Sequence, residues 1–166
     1  MNNLLKSIKL GEYDIVALYS AGLDSRLAVK LLTIQNVSVL GVEFIHPFMP
    51  GLMKMEEKLY HEEQLDADIL ETPLSESYLK TILKAEHGCG SYANPCIDCK
   101  IFFFKRAWEI ALRVNAKCIA TGEVVGQRPF SQRSAAIALI ENKATLKGKI
   151  VRPLCAKLIS PSDAEQ

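Results

Sequence analysis

The chain of 166 residues lacks any apolar run near the roughly 18 residues a membrane-spanning helix needs, and its opening, MNNLLKSIKLGEY, is too polar for a secretory signal. Those two absences make a cytoplasmic location the expectation. Glycine and proline are sparse, at nine and seven residues, and no internal repeat, low-complexity stretch or interdomain linker interrupts the chain, which excludes collagen-like, coiled-coil and disordered classes. Histidine is rarer still: His46, His61 and His87 share no metal-ligand spacing. What is present is a globular composition, 49% apolar and 23% charged, of about one domain's length. Residues 1–157 are expected to form a single domain and 158–166 a polar tail.

Net charge is +1, but the charge is divided. Residues 1–99 carry 8 Lys/Arg against 14 Asp/Glu, net −6, whereas residues 100–157 carry 12 against 3, net +9. A basic half can attract a polyanion, although a scattered solvated surface has the same composition. Five cysteines, Cys89, Cys96, Cys99, Cys118 and Cys155, occur without an export signal, which favours reduced thiols, chemistry or metal over a disulfide framework.

Hydrophobic periodicity alternates between two kinds of segment. DIVALY (14–19) and VSVLGVEF (37–44) have the pattern of buried strands, and the helix predicted between them, 25–35, carries an apolar stripe of Leu27, Ala28, Leu31 and Leu32. Strand, helix and strand within about 30 residues make a βαβ unit. A proline-bracketed loop, a charged amphipathic helix and a weak strand at 68–72 follow, then a helix at 75–84 and an exposed loop at 85–95. Residues 99–115 have helical period, with Phe102, Phe103, Ala107, Ile110 and Ala111 as core. A strand at 117–121, a helix at 131–141 and a short strand at 149–153 complete the chain. The expected fold class is α/β, a doubly wound, mainly parallel sheet with helices on both faces and ligands at the carboxyl ends of the strands.

The sharpest signal is Ser20-Ala21-Gly22-Leu23-Asp24-Ser25, between the first strand and the first helix. Small residues let backbone approach an anion, and a helix N-terminus offers unpaired N–H groups at its positive end. That geometry suits a phosphate chain. Asp24 would either cap backbone amides or help hold a divalent cation; an ordinary turn with a Ser/Asp N-cap is the plain alternative.

SAGLDS resembles the Ser-Gly-Gly-x-Asp-Ser/Thr loop of the PP-loop ATP pyrophosphatases, with Ala21 in place of the first glycine. The resemblance implies a Rossmann-like adenine nucleotide alpha hydrolase fold, ATP with Mg²⁺ as ligands, cleavage between the α and β phosphates, and adenine near Glu43 and Phe44. Thr121-Gly122-Glu123-Val124-Val125-Gly126-Gln127, followed by Ser131-Gln132, looks like a segment of tRNA 4-thiouridine synthetases, and Arg152-Pro153-Leu154 is similar to another. Asn94-Pro95-Cys96-Ile97-Asp98-Cys99 resembles the Asn-Pro-x-x-x-Cys segment of tRNA 2-thiouridylases, whose cysteine matches Cys99. These likenesses imply a tRNA sulfurtransferase that works with a sulfur donor protein or sulfide. They also imply nucleotide contacts from Thr121, Gly122 and Gln127, and catalytic roles for Cys99, Cys96 and Asp24.

A thiol at a helix N-terminus, with Lys100 beside it, would have thiolate character. The Cys96-x-x-Cys99 spacing leaves open disulfide or persulfide chemistry, zinc, or an iron–sulfur cluster with Cys155 or Cys89 as a third ligand. Cys118 is expected in the core. The resembling thiolases carry extra RNA-binding domains, so this chain is expected to be a fragment, a homodimer joining two basic halves, or a partner-assisted subunit. Two other readings stand beside it: a PP-loop ligase or amidotransferase acting on a small molecule, and a non-catalytic adenine-nucleotide-binding module.

Overall fold

The computed structural model describes residues 13–46, 56–74, 76–88, 95–155 and 157–165. Cys89 and Asn94, most of the loop expected at 85–95, and the proline-bracketed segment before residue 56 lie outside the described residues.

Six strands form one sheet in the order β3-β4-β2-β1-β5-β6. The strands are β1 (Ile15–Tyr19), β2 (Val39–Ile45), β3 (Lys58–Glu62), β4 (Ala67–Pro73), β5 (Cys118–Thr121) and β6 (Ile150–Val151). All pair in parallel except β3, which runs antiparallel to β4 at the edge. The helices are α1 (Leu23–Thr33), α2 (Glu76–Leu83), α3 (Cys96–Arg113) and α4 (Ser134–Ala144). Among the described residues no helix is long and apolar enough to cross a membrane.

Side chains alternate across the strands, so the sheet is buried on both faces. Val16, Leu40, Val42, Leu70, Ile119 and Ile150 pack under α3 and α4, around Phe104, Ala107 and Ile140. Ile15, Ala17, Val39, Ile69, Ala120 and Val151 face the other way, towards Val29 and Leu32 of α1. This is the doubly wound arrangement. From β1 the chain builds outwards through β2 and β4 on one side, then returns to place β5 and β6 on the other. The carboxyl ends of β1 and β5 therefore flank a topological switch point, where such sheets open a crevice.

The largest departure from the sequence-based expectation is the charged segment before β4, predicted as a helix. Its residues 58–62 form β3, with Tyr60 turned to the apolar core and His61 bonded through Nδ1 to Asp68 of β4 at 2.9 Å. Alternating charges suit an exposed edge strand, because they discourage further pairing. On α1 the buried residues are Ser25, Ala28, Val29 and Leu32, while Leu27 is exposed, and the helix begins two residues earlier than predicted. α3 begins three residues earlier, at Cys96, and buries Phe104, while Phe102 and Phe103 are only half-buried. α4 begins at Ser134, not 131, and β6 is reduced to two residues with a 3-10 turn, Pro153–Cys155, after it. The tail is folded as well: Asp163–Glu165 form a 3-10 turn, and Asp163 lies against Gly148.

Candidate functional site

The loop after β1 turns sharply at Ala21, whose φ of 53° is in the left-handed region. Gly22 is the N-cap of α1, and no side chain caps the helix. The Ser/Asp N-cap of the plain alternative is therefore not formed. Ser25 instead folds inwards: its hydroxyl donates to Gly22 O at 2.8 Å and lies 3.2 Å from Ser20 Oγ and 3.3 Å from Ser20 N. The serines brace the loop and leave the first-turn amides of α1, which no intrahelical carbonyl can reach, facing outwards from the helix end.

A cavity of about 520 Å³ opens at this point, within the size range of small-molecule sites. Ser20, Asp24 and Ser25 line one wall, Glu43, Phe44 and His46 of β2 and its exit a second, and Thr121, Gly122, Gln127 and Arg128 a third. Lys100 and Phe103 of α3 complete it. Gly122 is required by packing, because a Cβ there would lie 2.7 Å from Asp24 C and O and 2.8 Å from Ser25 N. The next residue, Glu123, is buried at 5% exposure and anchors the cavity floor. Its carboxylate pairs with Lys100 Nζ and with Arg152 Nε at 2.9 Å, and Arg152 in turn pairs with Glu141. Gln132 holds the loop over this network, its side-chain oxygen accepting from Arg128 N at 3.0 Å and its carbonyl from Gly126 N at 2.8 Å. Burial and the adjacent Glu71 raise the Glu43 carboxyl above its ordinary pKa, so this wall sheds charge more readily than an exposed glutamate.

Beside the cavity, the first turn of α3 carries Cys96 and Cys99, both half-buried and unpaired to any disulfide. Cys99 Sγ lies 3.3 Å from Tyr78 Oη. Aromatic rings connect this thiol to the cavity: Tyr78 stacks on Phe103 at 5.5 Å, and Phe103 on Phe44 at 5.3 Å with only 7° between planes. Asp98 is buried between the cysteines and accepts from His87 N at 3.1 Å and pairs with His87 Nδ1 at 2.8 Å. Burial opposes ionisation of Asp98, but these bonds and the Glu86 amide outweigh it and hold the carboxyl below its usual pKa.

A family model described as thiamine biosynthesis protein (ThiI) matches residues 11–158, nearly the whole chain. The chain belongs to the ThiI family. That is the family of PP-loop tRNA thiouridine sulfurtransferases. No curated protein matches the sequence significantly. Among solved structures, a predicted subunit of a tRNA methyltransferase from Methanocaldococcus jannaschii aligns with TM-score 0.53 and 16% identity, over 87% of this chain and 69% of that one, a likeness of fold. Trehalose-6-phosphate from E. coli bound with UDP-2-fluoro glucose aligns at TM-score 0.34 and 14% identity, over 64% and 26%, too low to indicate a common fold.

Within this ThiI-family chain, the sequence-predicted residues Ser20, Asp24, Ser25, Phe44, Thr121, Gly122 and Gln127 converge on the cavity, while Ala21, Gly22 and Leu23 form the exposed turn at its mouth. Three expectations need correction. Lys100 does not attend Cys99; its ammonium points to Glu123 and to Ser131 O, 3.3 Å away. Burial pushes the Cys99 thiol above its ordinary pKa, Cys96 and Asp98 add to the rise, and the Tyr78 hydrogen bond offsets part of it, so the resting thiol is less acidic than its helix position suggested.

Cys155 does not join Cys96 and Cys99 as a metal ligand. It is buried under the loop, its thiol donating to Glu123 O at 3.0 Å and accepting from Val125 N at 3.3 Å, and no group of three or more metal-ligating side chains occurs among the described residues. An iron–sulfur or zinc site built on Cys96, Cys99 and Cys155 does not fit this arrangement. Cys118 lies in the core as expected, with burial and then Glu165 and Asp14 pushing its pKa up to about 11. The place of Lys100 and Phe103 on the cavity wall, the bond from Tyr78 to Cys99, and the roles of Arg152 and Glu123 in the buried charge network were not anticipated. The helical spacing of Lys100, Phe103 and Phe104 was the available sign that this face of α3 meets the strand ends.

Ala21→Gly should stabilise the fold by about 0.5 kcal/mol, because relief of ~1–2 kcal/mol of left-handed strain exceeds the ~0.5–1 kcal/mol of added unfolded-state entropy. A fall in the urea midpoint would contradict the assigned backbone. Tyr78→Phe removes the hydrogen bond that favours the Cys99 thiolate, so the pH midpoint for alkylation of the Cys99 peptide by iodoacetamide should move upwards; an unmoved midpoint means the phenol does not tune the thiol.

Proposed function

We propose that the chain is the catalytic unit of an ATP-dependent tRNA sulfurtransferase, adenylating a uridine and replacing the activated oxygen with sulfur. The observation that carries this reading is the uncapped start of α1 opening into a cavity whose other rim leads through stacked rings to a cysteine pair. ATP would place its phosphates at the α1 amides, with Lys100 facing the same space, and its adenine against Phe44. Asp24 suits Mg²⁺, which binds through one or two carboxylates together with substrate phosphates; the ion would neutralise charge developing on the pyrophosphate. Preorganised backbone donors contribute most to the first step.

In that step a uridine oxygen attacks the α phosphorus and pyrophosphate leaves. In the second, the terminal sulfur of a persulfide on Cys99, charged by an external sulfur donor, attacks the activated carbon and AMP leaves. Cys96, one helical turn away, then attacks Cys99 Sγ, releases the thiolated base and closes a disulfide that an external thiol reduces. The Tyr78 phenol is placed to donate to whichever sulfur anion occupies Cys99. Work in a reducing cytoplasm is consistent with this cycle.

Incubation with ATP, Mg²⁺, a sulfane-sulfur donor able to charge Cys99 as a persulfide, a thiol reductant and unmodified tRNA should yield AMP, pyrophosphate and a thiouridine, each dependent on tRNA. Pyrophosphate released without tRNA would favour a small-molecule ligase or amidotransferase, and tight ATP binding without turnover a nucleotide-binding module. Cys99→Ala should abolish thiolation with ATP affinity retained, whereas Asp24→Ala should weaken Mg·ATP binding roughly tenfold, or ~1.4 kcal/mol. Thiolation by Cys99→Ala at the normal rate would overturn the role of that cysteine.

A further inference from the structure

A second concavity, of about 380 Å³, lies on the other side of the first turns of α3 from the nucleotide cavity. Three helices bring lysines to it: Lys80 of α2 and Lys84 just beyond it, Lys105 of α3, and Lys143 of α4. Like charges converge at a cost unless an anion shares them. Nearby carboxylates do not supply it. Lys80 has Glu76 at 3.2 Å, but no carboxylate pairs with Lys84, Lys105 or Lys143 among the described residues. Asp98, which also lines the space, has both oxygens engaged by His87, and Glu86 is a single exposed acid against three unpaired lysines.

The groove is also aromatic. The half-buried Phe102 lines it, and its ring lies 5.4 Å from Tyr78, the residue bonded to Cys99. Basic side chains that track phosphates, with an aromatic face for a base, are the chemistry of single-stranded nucleic-acid binding. An acidic peptide would use the lysines but leave the ring without a role.

We propose that this groove binds the ribose–phosphate backbone of the RNA strand flanking the target uridine, with a neighbouring base on Phe102, so that the strand passes the Cys96–Cys99 turn of α3. This extends the sulfurtransferase reading and rests on it for the identity of the RNA. The groove and the nucleotide cavity then lie on opposite flanks of the same helical turns. Residues 98, 101, 102 and 105 face the RNA, residues 100, 103 and 104 face ATP, and the cysteines sit at the start.

The test is fluorescence anisotropy of a labelled, unmodified tRNA transcript with the full chain, without ATP, across a salt series. Lys84→Gln/Lys105→Gln should weaken binding at least tenfold near physiological salt and reduce the slope of log K against log salt by about 0.7–0.9 per lysine. Lys117→Gln/Lys147→Gln, an equal charge change at the opposite end of the sheet, should change affinity less than twofold, and melting curves confirm that both variants fold. Equal losses from the two pairs would reduce the effect to net charge and overturn the groove. Wild-type affinity and slope in the Lys84/Lys105 variant would do so too, while leaving the sulfurtransferase reading to stand on the thiolation assay. No tRNA binding by the unaltered chain would overturn both.

Discussion

Gly122, at the end of β5, lies against the carbonyl of Asp24 and the amide of Ser25, so close that a single added carbon would sit 2.7 Å from backbone atoms. Two segments about a hundred residues apart thereby close on one another without an intervening side chain. Backbone cannot move aside as a rotamer can, so the position of the α1 start is fixed by the β5–α4 connection as much as by its own loop. The cavity exists because the first turn of α1 and the residues after β5 share this contact while diverging above it. An uncapped helix end elsewhere would meet only solvent; here it becomes one wall of an open cleft.

A buried chain of alternating charges continues from the same place. Lys100, Glu123, Arg152 and Glu141 tie α3, the β5 exit, the β6 exit and α4 together, with Arg152 only 2% exposed. A buried ion pair is weak support for stability, since desolvation cancels much of its Coulomb energy, but a carboxylate shared by two cations has few alternative positions. Its effect is to hold one ammonium, Lys100, at the cavity while the neighbouring Cys99 turns to Tyr78. Consecutive residues on one helix thus face different surroundings. The stacked rings of Phe44, Phe103 and Tyr78 keep those two centres at a fixed separation.

Much of this was legible before the structure. The parallel sheet follows from strand-length apolar runs alternating with helical ones, and the tight turn into α1 from its small residues at a strand–helix junction. Two things were hidden for physical reasons. β3 carries Lys58, His61 and Glu62, and its charge pattern suits an amphipathic helix as well as an exposed edge; only pairing with β4 decides. The direction of Lys100 depended on a carboxylate 23 residues away, and the acidity of Cys99 on burial, neither of which spacing encodes. Position relative to a helix end predicted a low thiol pKa, yet desolvation was the larger effect. The start of α3 three residues early matters as well, since it moves Cys99 from the helix end to the close of the first turn, where its own amide is already bonded to Pro95 O at 2.9 Å and the dipole has weakened.

The proposed chemistry requires that ATP bind at the α1 start held by Gly122. Calorimetric titration of Mg·ATP into the native chain and into Gly122→Ala, with melting curves to confirm that both are folded, tests this most directly. A nucleotide site at the α1 start requires that the added methyl displace the Asp24–Ser25 backbone and weaken ATP binding at least tenfold, about 1.4 kcal/mol, in a protein that still melts cooperatively. Native ATP affinity in a folded Gly122→Ala chain would place the nucleotide elsewhere and contradict it.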